Sequence, residues 1–354
     1  ATSLAKAFDK LKVAYPRTAK GAPSFTKAFL SENPHPFAKM IVEARNLNKI
    51  QGTFINNIMK FVGSDCRIHG HINQLRSDEG GTVSGRLSMS NPNLQQIPAR
   101  DPELGPMIRS LFLPEEGELW AAIDYSQQEP RILTHYASVF GTWKGLPLGG
   151  AKEFVDGYTN DPDMDFHTMV AEMANISRKQ AKTINLGMMY GMGVRKLADQ
   201  LDLEFEDAKE LTQQYHKRVP FVKELMNGVS RSVDQKSDGS LRSLKGRKCR
   251  FDMFEPMGYD VQKAMPLKEA KATYGETAPL KRAYTYKALN RLIQASAADM
   301  TKQAMVDLYE AGERPLLQVH DELGCSVTNV EHAKKIRAVM ELSLIHISEP
   351  TRPY

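Results

Sequence analysis

The 354-residue sequence predicts a mixed α+β fold, and three observations carry that expectation. Helical periodicity runs through 37–59, 194–229 and 290–311. The apolar run Leu119-Trp120-Ala121-Ala122-Ile123 reads as a buried strand that delivers Asp124 at its end. Residues 316–319 and 323–327 flank His320-Asp321-Glu322 as a strand-turn-strand with acids at its tip. Composition alone, 41% hydrophobic and 25% charged, is that of an ordinary globular chain long enough for two or three domains. A net charge of +5 permits a nucleic-acid partner without requiring one. Cys66, Cys249 and Cys325 are scattered without metal-ligand spacing, which reads as reduced thiols in a cytoplasmic setting. No stretch has the apolar length of a signal peptide or membrane span, so a soluble, non-secreted protein with no membrane partner is expected.

In chain order, residues 1–60 read as helices around a Pro- and Gly-containing connector at 15–24, and 67–74 alternates like a strand. Residues 84–98 are rich in turn formers and amides and by composition form a surface loop. After Asp124 a helix starts at once. Ser126 to Glu129 fits a capping box that would make Glu129 a helix-start carboxylate, and Pro130 is tolerable in the first turn. Residues 141–165 read as a loop with room for one short helix, and His167 follows on a helix.

The chain from Ser177 to Gly191 has the most specific pattern. Ser177 is a candidate N-cap, and Arg178, Lys182, Leu186 and Tyr190 fall four apart on one helix face. That stripe begins cationic, at the positive end of the helix dipole, and ends apolar and aromatic, a shape suited to a nucleotide. Repulsion between the two cations and a helix penalty of about 1 kcal/mol at each of Gly187 and Gly191 call for a compensating role. Residues 194–229 are helical with a break at Pro220. Residues 241–252 form a strand-turn-strand bearing Arg242, Lys245, Arg247, Lys248 and Arg250. Residues 255–280 read as irregular, and 290–311 places Asn290 and Gln294 on one helix face. A last helical pattern spans 330–341; residues 342–354 resemble translated sequencing adapter and are set aside.

Several of these stretches, in this order, resemble the motifs of family-A (Pol I-like) DNA polymerases. Residues 178–191 match R-x-x-x-K-x-x-x-[F/Y]-G-x-x-Y-G, with Leu186 where the family has an aromatic. Ser84-Gly85-Arg86-Leu87-Ser88 through Pro98 is similar to T-G-R-L-S-S-x-x-P-N-L-Q-N-I-P, with Ser84 for Thr. Asp124-Tyr125-Ser126-Gln127-Gln128-Glu129-Pro130-Arg131 resembles D-Y-S-Q-x-E-x-R in a bacteriophage form. Asp165-Phe166-His167 resembles D-I-H, Asn290 and Gln294 the N-x-x-x-Q pair, and Val319-His320-Asp321-Glu322 the V-H-D-E hairpin.

The resemblance implies a right-hand polymerase fold, with an antiparallel palm sheet, helical fingers and a partial thumb. It implies 1–60 as thumb remnant and thumb–palm connection, 61–135 and 288–341 as palm, and 136–287 as fingers. The implied activity is template-directed DNA synthesis from dNTP on primer-template DNA with two Mg²⁺ ions, in phage replication in the host cytoplasm. Asp124, Asp321 and the Tyr125 carbonyl would hold metal, and Lys182 would assist the leaving pyrophosphate. Gln127, Glu129, His167, Arg178, Lys182, Leu186 and Tyr190 would serve the nucleotide, with Glu129 against Tyr190 excluding a ribose 2′-OH. Arg86, Asn93, Gln95, Arg100, Asn290, Gln294, His320 and Glu322 would lie at the DNA, and the basic hairpin would meet template phosphates. The alternatives are a single-subunit RNA polymerase, or a truncated segment that binds DNA without turnover.

Overall fold

A computed structural model of the chain describes residues 2–77, 80–98, 104–144, 148–161, 163–258 and 263–345. The chain falls into two units, residues 1–71 with 89–112, and residues 72–88 with 113–354.

In the first unit, α1 (Thr2–Lys10), α2 (Lys27–Glu32) and α3 (Pro36–Lys49) surround Phe8, which is 1% exposed. Tyr15, Phe25, Phe29 and Phe37 ring it at centroid distances of 5.0–6.1 Å. The long helical pattern of 37–59 holds, but not as one α-helix. A π-helical turn, Ile50–Ile55, carries α3 into α4 (Asn56–Met59), with Gly52 and Thr53 supplying weak α propensity there. Ile50 and Phe54 bury against Ile108 of α5 (Leu104–Arg109). The strand expected over 67–74 shortens to β1 (His71–Asn73), and β2 (Ser88–Ser90) lies inside the stretch read as loop.

The second unit opens with β3 (Leu119–Asp124) and α6 (Gln128–Lys144). The 141–165 segment is more helical than its Gly and Pro content suggested: α6 runs into it, and α7 (Ala151–Asn160) buries Ala151 and Phe154 on one face. Next come α8 (Phe166–Ala174), α9 (Arg178–Met189), α10 (Val194–Leu201), α11 (Phe205–Arg218) and α12 (Pro220–Gln235). Pro220 begins α12 in its first turn, where its missing N–H is no loss. The hairpin of β4 (Ser240–Arg242) and β5 (Lys248–Arg250) follows.

Residues 255–280, expected to be irregular, contain regular elements among the described residues. There β6 (Met253–Pro256) pairs with both β7 (Met265–Pro266) and β8 (Leu280–Arg282), with α13 (Leu267–Tyr274) between those partners. Arg282 braces the region by donating to the carbonyls of Phe251 at 2.8 Å and Ser237 at 2.6 Å.

The 23-residue α14 (Ala288–Glu310) precedes β9 (Leu317–Val319), β10 (Glu322–Val327) and α15 (Val330–Ile345). Two cores share α14, which explains why it is buried almost all round and rich in alanine. One gathers Leu133, Phe166, Ile184, Phe221, Leu225 and Leu289; the other lays Leu323, Cys325 and Val327 of β10 on Leu308, Ile336 and Met340.

The sheet order β3-β10-β9 is antiparallel throughout. β3 is thus an edge strand, not the buried strand its apolar run suggested: Leu119 is 54% and Trp120 37% exposed, and among the described residues β3 pairs on one side only, with β10. Trp120 crosses Gly324 so closely that a Cβ there would sit 2.4 Å from the indole. α15 continues past Glu341 into the segment set aside as adapter and buries Ser343; residues 346–354 lie outside the described residues. No helix among the described residues is long and apolar enough to cross a membrane.

Candidate active site

The acids converge through strand register. Asp124 stands opposite Glu322 at the end of the β3–β10 ladder, and the Tyr125 N–H donates to the Asp321 carbonyl at 3.4 Å. His320, with φ 60, makes the tight turn from β9 to β10 that places Asp321 at the tip. Burial, then the charges of Asp321 and Glu322, push the Asp124 carboxyl up to about 6, against a backbone hydrogen bond at Tyr125. The Tyr125 ring turns the other way, into the sheet core, and its hydroxyl donates to the Met340 carbonyl at 3.0 Å.

None of these three acids has an ion-pair partner among the described residues. No ready-made cage of three or more His, Cys, Asp or Glu is present among the described residues either. Uncompensated hard oxygens of this kind fit a divalent cation that takes few protein ligands and completes its shell with water and phosphate.

Glu129 sits at a second junction. Its Oε1 accepts from Arg86 at 2.6 Å, and its Oε2 accepts from the Tyr190 hydroxyl at 2.8 Å. Gln294 of α14 lies beside the same tyrosine, and Asn290 lies one turn before it. The capping-box reading of Glu129 is therefore corrected. α6 begins at Gln128, which puts Glu129 too early in the first turn to be the N3 partner of Ser126, and its carboxylate oxygens are taken by Arg86 and Tyr190 instead. Gln127, expected at the nucleotide, has φ 54 and uses both ends of its amide on the protein, donating to the Met164 carbonyl and accepting from Phe166 N–H, each at 2.8 Å.

Arg86 is held from below. Arg247 donates through Nε to Asp299 at 2.8 Å, and through Nη2 to the carbonyls of Ser84 at 2.8 Å and Ala295 at 2.9 Å. Ser84 keeps the hydroxyl that a threonine would supply and stands 3.2 Å from the Thr82 hydroxyl. The hairpin is thus not a uniformly free basic run. Arg247 is tied to Asp299, Lys248 to Asp238 at 3.1 Å and Arg242 to the Gly246 carbonyl, because acids and carbonyls absent from the hairpin's strands reach it by folding or at its turn; Lys245 and Arg250 stay exposed.

The stripe of Arg178, Lys182, Leu186 and Tyr190 lies on the more exposed face of α9, opposite Ala181, Ile184 and Met188. Ser177 caps the helix in a reciprocal box with Gln180. At the other end Met192 N–H bonds the Gly187 carbonyl and Gly191 N–H that of Met188, with Gly191 at φ 69. Gly191 therefore does not weaken the helix but ends it, which leaves Tyr190 as C-cap. Asp165 caps α8 through Thr168 N–H at 2.7 Å and pairs with Arg178 at 2.6 Å. Burial would raise Asp165, but the hydrogen bonds from Arg178 and Thr168 outweigh it and hold the carboxyl at about 2. Lys182 is exposed and has no ion-pair partner among the described residues. His167 is buried, 3.0 Å from the Asn185 amide; burial, with Lys182 and Arg178 nearby, lowers its pKa against Asp165.

In the first unit, the Asn93 Oδ1 accepts from Gln95 N–H at 3.1 Å at the start of a 3₁₀ turn; Arg100 lies outside the described residues. In the sequence Asp165 stands only as part of the D-I-H resemblance, without a role, and Asn185 and Asp299 carry no assignment. Only Asp165 had a local signal, as an N-cap three residues before Thr168.

Comparisons with known proteins point to one family. The profile of DNA polymerase family A matches residues 3–349. A "DNA-directed DNA polymerase" of Pseudomonas phage M6 is 36% identical over 95% of this chain and 53% of its own length. "DNA polymerase I, thermostable" of Thermus aquaticus is 32% identical over 89% of this chain and 35% of its own length. Among solved structures, the "POL domain of Pol1 from M. smegmatis complex with DNA primer-template and dNTP" superposes with TM-score 0.68 at 28% identity, over 96% of this chain and 56% of that one. The chain spans about half the length of the phage relatives it matches. The profile match over nearly the whole sequence and the phage relative's identity are decisive: the chain belongs to DNA polymerase family A.

Proposed function

We propose that the chain performs template-directed DNA synthesis, transferring a nucleotide from a dNTP to a primer 3′-hydroxyl, as the polymerase portion of a phage-type replicative enzyme acting in the host cytoplasm. The observation that carries this reading is the antiparallel register that sets Asp124 opposite Glu322 and the Tyr125 N–H against the Asp321 carbonyl. It brings two aspartates from 197 residues apart in sequence, 321 minus 124, to one end of a sheet. The relatives' names and the neighbour solved with primer-template and dNTP support the substrate class.

Asp124, Asp321 and the Tyr125 carbonyl would hold two Mg²⁺ ions. Such ions, when bound, supply the positive charge that stabilises the attacking and leaving oxygens of a phosphoryl transfer. Lys182 Nζ neutralises the leaving pyrophosphate and can give it a proton, while Arg178 and His167 bind its other oxygens. Leu186 and Tyr190 face the base. Glu129, fixed between Arg86 and Tyr190, fills the space of a ribose 2′-hydroxyl. Arg86, Asn290 and Gln294 would read the minor groove by shape, and Asn93, Gln95, Arg100, His320 and Glu322 are further candidates for DNA contact. Residues 61–135 and 288–341 form the palm and 136–287 the fingers in this reading, with 1–60 the thumb remnant.

Primer extension by the purified chain on a labelled primer-template tests the proposal. Stepwise, template-matched dNTP addition is the expected result; incorporation of rNTPs at equal efficiency, or tight DNA binding with no extension, overturns it.

A further inference from the structure

We propose that Asn185 is a positioning residue: its side-chain amide holds His167 in the tautomer that carries the proton on Nε2, so that this N–H is the atom offered to the phosphates of an incoming nucleotide. The inference rests on the nucleotide reading of α9 and adds to it a residue that touches no substrate.

Asn185 is an unfavourable choice where it stands. It is fully buried in the interior of α9, among Ala181, Ile184 and Met188, where a leucine or alanine would favour both the helix and the core. A buried amide is destabilising unless it is hydrogen-bonded. Its Nδ2 lies 3.0 Å from the His167 Nδ1, and its Oδ1 has no partner among the described residues. One contact to one imidazole nitrogen is what this residue gains from its position.

That contact has a direction. An amide nitrogen carries two hydrogens and no available lone pair, so it bonds Nδ1 only when Nδ1 is the acceptor. The ring proton of a neutral His167 is then on Nε2. The ring is biased towards the neutral form by its surroundings: burial disfavours the imidazolium most, and with Lys182 and Arg178 it outweighs the opposing charge of Asp165, which is itself paired with Arg178. A neutral imidazole cannot draw a phosphate by charge. It contributes only through a directed N–H, so the tautomer decides whether His167 acts as a donor beside Arg178 and Lys182 or turns a lone pair towards an anion.

Nitrogen-15 NMR of the histidine-labelled chain reads the tautomer directly, with no variant and no nucleotide. The expected wild-type spectrum shows His167 protonated on Nε2 at neutral pH; a proton on Nδ1 overturns the proposal. Asn185→Leu should mix the tautomers and raise KM for dNTP on the order of tenfold with kcat changed far less, since one donor to a charged oxygen is lost. Asn185→Asp, nearly the same shape, should move the proton to Nδ1 or charge the ring, because a carboxylate can only accept. In a His167→Ala background Asn185→Leu should add no further KM increase. If Asn185→Leu lowers stability but leaves both tautomer and KM unchanged, the residue only packs. If the tautomer shifts as stated while neither it nor His167→Ala alters KM, the imidazole does not serve the phosphates and the nucleotide half of the proposal falls.

Discussion

Tyr190 and Glu129, 61 residues apart in sequence, meet through a 2.8 Å hydrogen bond from phenol to carboxylate Oε2. The other oxygen of the same carboxylate takes Arg86 at 2.6 Å, so one acid holds the residue after α9 to the loop that carries the arginine. Both partners of the ion pair are mostly buried, with side chains 23% and 15% exposed. Glu129→Ala should therefore do two things. It should lower stability by about 1–3 kcal/mol, because Arg86 loses its counter-charge, and it should raise ribonucleotide incorporation relative to deoxyribonucleotide. Denaturant unfolding and competition between rNTP and dNTP in single-nucleotide extension measure these. A variant of lowered stability but unchanged sugar selectivity would reduce Glu129 to a structural tie.

Asp124→Ala or Asp321→Ala should abolish extension while primer-template affinity stays within a few-fold, since affinity for DNA comes mainly from phosphate contacts elsewhere. Extension assays beside a fluorescence-anisotropy titration make the comparison. Near-normal extension by either variant in Mg²⁺ would remove that aspartate from the metal site.

Leu186 is half-buried at the edge of the large helical core, between Lys182 and Tyr190 along the stripe of α9. An aromatic ring there would cover more of the incoming base pair, and base–aromatic stacking is worth about 1–3 kcal/mol per base against alanine. Leu186→Phe should tighten nucleotide binding by roughly several-fold, since leucine already retains part of that contact. Pre-steady-state incorporation gives the apparent Kd. No gain in a variant of intact stability would mean the stripe does not face the base.

Gly191 ends α9 at φ 69, and a Cβ there would come 3.1 Å from the Tyr286 ring. Gly191→Ala should lose about 1–2 kcal/mol, from the left-handed backbone and the crowded contact together. Chemical denaturation reads it directly, and an unchanged midpoint would show that the turn relaxes at no cost.

Asp165 is held at about 2 by Arg178 and Thr168, below the roughly 3.9 of an unfolded aspartate. A depressed folded pKa means that the stabilisation is fully present above the unfolded value and is lost as pH falls through the folded one, a window of about pH 4 to 2. The pair is partly exposed, so the contribution is a screened one. Unfolding free energy of the wild type should decline through that window, and Asp165→Asn should remove this part of the decline. Parallel curves for the two proteins would assign the acid sensitivity to other carboxylates.

What could be read without the structure were features made by near neighbours in the chain. The Ser177 cap, the four-residue stripe of α9, the acid-tipped hairpin and the helix over 290–311 each depend on contacts within about four residues, which a sequence displays directly. Motif order then supplied the family and the expected roles. The readings that failed were those in which a distant partner outweighs local propensity. Glu129 fits a helix cap locally, but Arg86, 43 residues before it, and Tyr190, 61 after, take its two oxygens. Arg247 reads as one of five like basic residues in a hairpin until Asp299, 52 residues on, pairs with it. The strand of 119–124 is apolar enough to be central, yet the pairing order makes it an edge. The 255–280 stretch lacks periodicity because its short strands β6, β7 and β8 gain stability from one another and not from local pattern. Chain composition sets which side chains are available, but hydrogen bonds and ion pairs are decided by which groups remain unsatisfied once the cores have closed, and only the tertiary structure makes that choice.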